Sequence, residues 1–272
     1  MYLGIDTATK LTEKNANAIK EAGFAFVGRY LVPPKFYTRK ALTEKEAKTI
    51  TDAGLRLLTV FETTASRARD GASAGAADGS SALKCAHDIG MPTSGIIYFA
   101  VDFEARDTDM DAIRAYLQAV RNNTEEYEIG VYGSYKVVEN LAVTGICKAY
   151  WQCIGWSYGE KSPVRNVYQA QFEQKIAGLS VDINECSDLD RAGIWTYDAG
   201  KEDSLVFEKR YDTVASLPAW AKPTIIELIN AGCLRGYGDV YDADGYPADL
   251  NLSYDMLRIL VILDRAGTFD ER

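Results

Sequence analysis

Two acidic residues, Asp102 and Glu104, stand one residue apart at the end of "GIIYFAVDFEA", a run that is otherwise almost entirely apolar. Alternate side chains of an extended strand point the same way, so both carboxylates share one face of the predicted strand. Their Cα atoms would lie roughly 6.5 to 7 Å apart, which lets the two carboxyls span one bond between sugars. A protonated carboxyl beside an ionised one is the pair that cleaves glycosidic bonds.

Three further acids end apolar runs elsewhere in the chain: Asp6, Glu62 and Asp182. Parallel strands bring their carboxyl ends to one edge, and a closed barrel places the first strand, with Asp6, beside the last, with Asp182. Convergent carboxylates raise one another's pKa, so that one can stay protonated at neutral pH. Two plainer interpretations remain open: Glu62 is a cap or loop anchor, or the whole cluster holds Mg²⁺ or Ca²⁺.

Short β-rich runs alternate with amphipathic segments through residues 1–197. Eight runs have the composition of strands, and strands that alternate with helices form parallel sheets. We therefore predict an α/β fold, a (β/α)8 TIM-like barrel with trimmed late helices, because the last three strands follow one another closely. The stretch "GASAGAADGSSALKCAHDIG" is predicted to be a helix packed closely on the sheet, with a flexible linker as the alternative.

The remainder of the chain predicts a second, smaller domain. Residues 198–216 are polar without core periodicity and indicate a linker. Residues 217–272 contain two amphipathic segments that predict a small all-helical domain with its own apolar core. This domain is expected either to bind cell wall or to join copies of the chain in a homo-oligomer.

The composition excludes several classes of function. The chain has 272 residues and a net charge of −9, and an acidic protein repels the phosphate backbone of nucleic acids. No run approaches the ~18 apolar residues of a membrane span. "MYLGID" has no basic leader, so we expect synthesis in the cytoplasm without a signal peptide. The five cysteines are expected to be reduced thiols, and no cofactor or metal is predicted.

The chain resembles a known family in four segments: "GIDTA", "YFAVDFEA", "VYQAQF" and "VDINE". Their layout is similar to the family 25 glycoside hydrolases, the peptidoglycan lysozymes, and more closely to a related glycoside-hydrolase-like barrel family. The resemblance implies that Glu104 is the general acid, and that Asp102 orients or stabilises the substrate. It also implies that Asp6 and Asp182 hold the sugar and tune the acid pair.

The remaining predicted site residues bind substrate. Gln169 matches a position in the lysozymes' "WQY" motif, although Tyr168 stands here in place of the Trp. Aromatic side chains at the rim of the barrel can stack on sugar rings, and the candidates are Tyr30, Tyr132, Tyr135, Trp151 and Trp156. The predicted substrate-binding set is therefore Glu62, Tyr132, Gln169, Trp151 and Tyr30, with Tyr132 favoured because it shares the inward parity of its strand.

The sequence as a whole predicts a peptidoglycan-directed glycoside hydrolase. The segment "LSYDMLRILVILDRAG" resembles the end of some bacteriophage endolysins, which implies release to the wall through holin-type membrane holes. Two alternatives are a catalytically weak barrel that binds wall glycan, with an oligomerising tail, and a metal-dependent hydrolase. The complete set of acids favours the enzyme over a pure binder.

Overall fold

The protein divides into two compact units, residues 1–199 and 200–272. The computed structural model describes residues 1–124, 126–197, 211–236, 240–252 and 254–269, without the side chains of residues 254 and 255. Residues 198–210 of the predicted linker lie outside the described residues. Each unit is treated separately below.

The first unit is built on a closed barrel of eight strands in sequential order, which confirms the predicted α/β barrel. The strands are β1 Tyr2–Asp6, β2 Phe26–Tyr30, β3 Arg56–Phe61, β4 Ile96–Ala100, β5 Glu128–Gly133, β6 Ala149–Cys153, β7 Val167–Ile176 and β8 Leu179–Cys186. From β1 to β7 every neighbouring pair is parallel.

The prediction of eight parallel strands is wrong for β8, which runs antiparallel to both β7 and β1. Only Ala177 and Gly178 separate β7 from β8, whereas a parallel connection needs about a dozen residues. Both turn residues have positive φ, 50° and 81°, as a tight hairpin that matches the strand twist requires. The chain therefore turns straight back and closes the barrel in the opposite direction.

Five helices accompany the barrel strands: α1 Glu13–Glu21, α2 Glu44–Asp52, α3 Gly71–Asp88, α4 Met110–Arg121 and α5 Tyr135–Ala142. Each of the first two begins at a threonine whose hydroxyl accepts a backbone N–H, Thr12 from Asn15 and Thr43 from Glu46. The predicted trimming of the late helices agrees with the segment between β6 and β7, where the described residues 154–166 contain no α-helix.

Apolar side chains form two layers, because alternate strand residues face opposite sides of the barrel wall. Ile97, Phe99 and Val101 pack between the barrel and its helices. Tyr98 and Ala100 pack inside the barrel. The alternation predicted from the sequence of β4 thus holds, and it directs the following Asp102 inward.

The small-residue stretch is a helix, α3, but its close contact is with α4 rather than with the sheet. A Cβ atom on Gly75 would lie 2.1 Å from the carbonyl oxygen of Tyr116, and one on Gly79 would lie 2.8 Å from that of Val120. The glycines therefore allow the two helix backbones to touch, which side chains of any size would prevent.

The second unit contains α6 Lys222–Asn230 and α7 Tyr254–Arg265 around a separate apolar core. Two isolated antiparallel bridges, Tyr211 with Leu252 and Tyr241 with Pro247, accompany the helices, so an all-helical description is too simple. Tyr211 and Val214 are buried in this core. Residues 211–216 of the predicted linker therefore pack with the second unit.

Among the described residues, no helix is both long enough and apolar enough to cross a membrane. All five cysteines are free thiols.

Candidate functional site

A cavity of about 180 Å³ opens at the end of the barrel where the parallel strands finish. It is lined by Asp6, Tyr30, Val60, Glu62, Ala100, Asp102, Tyr132, Trp151, Trp156, Gln169, Phe172 and Asp182. Four of the five predicted acids, all five predicted substrate-binding residues and two further aromatic residues thus meet in one place. Glu104 does not line this cavity.

Asp6 and Asp182 lie side by side, as paired residues of β1 and β8. The sequence placed Asp182 at the end of the last strand, but it is the fourth of the eight residues of β8 and lies in the first half of that strand. Because β8 is antiparallel, its beginning lies at the same end of the barrel as the end of β1. The amide of Gln169 donates to both carboxylates, at 2.8 Å to Asp6 and 3.2 Å to Asp182.

The cavity stabilises the protonated form of Asp6. The pKa of its carboxyl is raised to about 7, chiefly because the cavity removes it from water; the neighbouring charges of Asp182 and Asp102 also raise the pKa, and hydrogen bonds from Asn184 and Gln169 lower it. Burial likewise raises the pKa values of Glu62, Asp102 and Asp182. The cavity can therefore hold protons near neutral pH, as a proton donor must.

A cation that the sequence analysis missed lies beside these acids. The Nζ of Lys40 is 3.9 Å from Glu62 and 4.5 Å from the centre of the Tyr30 ring. Its charge lowers the pKa values of Glu62 and Asp102, opposing the larger effect of burial. Lys40 lies in the loop after β2, where no strand pattern marks it, so only the fold brings it to the cavity.

Two of the predicted aromatic residues support the cavity wall. Trp151 is 1% exposed, packs edge-on against Tyr132 and donates from Nε1 to Asn184 at 2.8 Å. The hydroxyl of Tyr132 donates to Gln169 at 2.7 Å. These contacts hold the two amides that in turn bind Asp6, so both rings position the polar groups more than they offer an open face.

The open aromatic faces belong to Trp156 and Phe172, which are 39% and 43% exposed. Trp156 is one of the rim aromatic residues named from the sequence, whereas Phe172 and Asn184 were not predicted. Asn184 donates to Asp6 at 2.7 Å. It stands two residues after Asp182 and so shares its strand face, a signal that could have identified it.

Glu104 is exposed and lines a second, neighbouring cleft of about 440 Å³. Its carboxylate accepts a hydrogen bond from the hydroxyl of Tyr158. Strand β4 ends at Ala100, and the loop that follows carries Asp102 into the cavity and Glu104 into the neighbouring cleft. The two acids are therefore not a pair on one strand face, as the spacing predicted.

The arrangement favours an uncharged, hydroxyl-rich ligand. Four carboxyls outnumber the single lysine, so the cavity disfavours anionic ligands. Its amide and hydroxyl groups offer hydrogen bonds, and its aromatic rings offer apolar faces. Within the described residues, no three His, Cys, Asp or Glu side chains are grouped so that they could hold a metal ion.

A closed barrel with clustered carboxyls where its parallel strands end defines a protein of the glycoside-hydrolase-like class. The model of the Rv2525c-like, glycoside hydrolase-like domain family matches residues 17–198, and the chain belongs to this family. The matched region begins after β1, so Asp6 lies just outside it.

One relative in sequence and one solved structure are similar to this chain. It is 34% identical over 166 residues to the uncharacterized protein YbfG of Bacillus subtilis, covering 53% of this chain but only 22% of YbfG. The crystal structure of the Tat-secreted protein Rv2525c of Mycobacterium tuberculosis is similar, with a TM-score of 0.62 and 23% identity over 72% of this chain and 98% of that one.

One further solved structure shares the fold. An uncharacterized B. stearothermophilus protein has a TM-score of 0.56 and 18% identity, over 72% of this chain and 100% of that one. More distant neighbours include the catalytic domain of an endolysin and a family 25 glycosyl hydrolase, at TM-scores of 0.49 and 0.48.

Proposed function

We propose that the first unit hydrolyses a glycan of the bacterial cell wall, such as peptidoglycan. The observation that carries this proposal is the single cavity in which Asp6, Asp102 and Asp182 converge beneath aromatic side chains. Glycosidic cleavage needs one carboxyl that gives a proton and one that stays ionised, and this proposal assigns these two roles to Glu104 and Asp102. Membership of a glycoside-hydrolase-like family supports the same class of reaction.

In this proposal one sugar unit occupies the cavity and the leaving sugar lies outside it. The carboxyl of Glu104, in the neighbouring cleft, gives its proton to the glycosidic oxygen as the bond from that oxygen to the sugar carbon breaks. Asp102 faces the cleaved sugar and stabilises the positive charge that develops on it. A water molecule then adds its hydroxyl to the sugar carbon, and its remaining proton restores the carboxyl of Glu104.

The test compares Glu104→Gln with Asp102→Asn on purified cell wall, with newly formed reducing ends as the measure. Glu104→Gln should lose at least a hundredfold in rate and still bind glycan, because the amide keeps the shape of the side chain and lacks the proton. Asp102→Asn should retain a residual rate and alter the acidic limb of the pH profile.

The matched control is Glu128→Gln, an exposed glutamate at the opposite end of the barrel, at the start of β5. It should hydrolyse wall as the wild type does. A Glu104→Gln protein that is as fast as the wild type would show that Glu104 is not the proton donor. If Asp102→Asn were also unaffected, both assigned roles would fail, and a wild type that releases no reducing ends would overturn the hydrolase proposal itself.

The second candidate is a barrel that binds wall glycan with little catalysis. The observation that favours it is the position of Glu104, which lies outside the acid cavity and is hydrogen-bonded to Tyr158. Under this alternative the wild type binds glycan and releases no reducing ends above the rate of the Glu104→Gln variant.

We further propose that the second unit holds the protein at the wall, with self-association of the chain as the competing role. Delivery through holin-type membrane holes fits the predicted likeness to endolysins. As part of the same proposal, the protein originates from a bacteriophage or a prophage.

A further inference from the structure

The second cleft adjoins the acid cavity through a shared side chain. Trp156 lines both, and the residues of the cleft also include Glu104, Asp107, Lys136, Ser157 and Tyr158. The loops after β4, β5 and β6 form its walls. A chain-like ligand that leaves the acid cavity past Trp156 therefore enters this cleft.

Two bulky residues of the cleft adopt an unfavourable backbone conformation. Trp156 and Tyr158 have φ values of 53° and 50°, in the left-handed region that L-residues with large side chains rarely occupy. Such conformations persist only where surrounding contacts impose them, and they concentrate at functional sites.

The contacts that impose this conformation centre on Ser157, which lies between the two aromatic residues and is 2% exposed. Its hydroxyl donates to the carbonyl oxygen of Cys153 at 2.7 Å and accepts from the backbone N–H of Tyr135 at 2.9 Å. Further along the loop, the side chain of Gln152 donates to the carbonyl of Glu160 at 2.8 Å. The loop is thus anchored from below while Trp156 and Tyr158 face outward.

The exposed groups have the chemistry of a carbohydrate site. Tyr158 is 82% exposed, and its hydroxyl is tied to Glu104 across the cleft. Lys136 and Asp107, which form an ion pair at 3.0 Å, add charged groups that can bond hydroxyls. Exposed rings beside hydrogen-bonding side chains suit the alternating apolar and hydroxyl faces of a sugar ring.

We propose that this cleft is a second sugar-binding subsite, in which Trp156 and Tyr158 form an aromatic platform for the leaving-group side of the glycan. The proposal rests on the proposed function and deepens it, because it makes the substrate an extended chain of several sugar units. It also explains why Glu104 lies in the cleft: a donor to the leaving oxygen belongs between the two subsites.

The test measures how affinity grows with chain length. N-acetylglucosamine disaccharide and hexasaccharide are titrated calorimetrically into variants that share an Asp102→Asn background, which slows cleavage during the measurement. In the parent the hexasaccharide should bind more tightly than the disaccharide. Tyr158→Asn should weaken hexasaccharide binding about tenfold more than disaccharide binding, because it removes the stacking ring. Trp156→Asn should weaken the binding of both oligosaccharides, because Trp156 lines both the acid cavity and the cleft.

Two further variants separate stacking from other roles. Tyr158→Phe keeps the ring and loses only the bond to Glu104, so it should preserve the length dependence within about twofold. Tyr2→Asn removes an aromatic residue that is 47% exposed at the opposite end of the barrel and should change neither affinity. The melting temperature of Tyr158→Asn should be equal to or above that of the parent, because asparagine tolerates the left-handed region.

The outcomes distinguish this proposal from the one beneath it. Equal affinity of the parent for both ligands, or an unchanged ratio of affinities in Tyr158→Asn, overturns the second subsite. If the wild type nevertheless releases reducing ends from wall, the proposed hydrolase remains. If the parent binds neither oligosaccharide and the wild type releases nothing, both proposals fail.

Discussion

Asp6 occupies an unfavourable position for a carboxylate, because it is only partly exposed in the wall of the cavity and is the strand partner of Asp182. Its pKa of about 7 lies above the ordinary value of 3.8 that an unfolded chain would show. Between these two values the folded protein binds one more proton than the unfolded chain. The contribution of Asp6 to the free energy of unfolding therefore falls as the pH rises from about 4 to about 7.

We predict that Asp6→Asn stabilises the protein at high pH while it lowers activity. The asparagine oxygen can still accept from Gln169 and Asn184, and it cannot ionise. Between pH 5 and pH 8 the wild type should lose on the order of 3 kcal/mol more unfolding free energy than the variant. Urea unfolding at the two pH values measures this difference.

The control for this prediction is Asp111→Asn, a carboxylate that is 96% exposed on α4. It should lose stability with pH just as the wild type does, because surface carboxylates contribute little. A large fall in the stability of Asp6→Asn at every pH, with wild-type specific activity, would instead make Asp6 a structural residue.

At the scale of elements, helices α3 and α4 are in backbone contact. Gly75 and Gly79 face the carbonyls of Tyr116 and Val120. Asp78, on the same helix, accepts from the hydroxyl of Tyr116 at 2.9 Å and pairs with Arg67 at 3.0 Å. Small residues thus set the distance between the helices, and a buried polar contact fixes their register.

We predict that Gly75→Ala lowers the free energy of unfolding by about 2 kcal/mol or more, because its Cβ would lie 2.1 Å from a backbone oxygen that cannot move alone. Helix propensity acts in the opposite direction, since alanine is favoured over glycine by about 1 kcal/mol. The exposed control Ser73→Ala on the same helix should be neutral or slightly stabilising. Chemical denaturation of both variants tests the contact, and a stabilised Gly75→Ala protein would contradict it.

At the scale of the whole molecule, each unit has its own apolar core. In the first unit, the barrel encloses one layer of apolar side chains and its helices cover a second layer. In the second unit, Ile225, Leu228 and Leu257 lie in a separate apolar core. Separate cores of this kind allow each unit to fold by itself.

We predict that a chain ending at residue 199 folds cooperatively and keeps the full chain's activity on soluble glycan. It should lose retention on insoluble wall or, if self-association is the role of the second unit, lose oligomer size. Circular dichroism, reducing-end release, wall sedimentation and analytical ultracentrifugation measure these properties for the full chain and for residues 1–199. An insoluble or unfolded product would show that the barrel depends on the second unit.

The sequence by itself determined the alternation of elements, the closed barrel and the family. It also predicted Asp6, Asp102 and Asp182 as site residues, because strand parity and position at strand ends are local properties that depend on residue spacing alone. The prediction that Tyr132, Gln169 and Trp151 belong to the site followed from the same periodicity and from the resemblance.

Only the tertiary structure decided the direction of β8, the partner of α3 and the separation of Glu104 from Asp102. The direction of β8 depends on a two-residue turn, and the contact of α3 depends on which neighbour its glycines meet. Glu104 stands beyond the end of β4, where the chain leaves the sheet and the period of two no longer governs side-chain direction. Lys40 lies on a loop whose position depends on contacts distant in sequence, so no local pattern encodes its place beside the cavity.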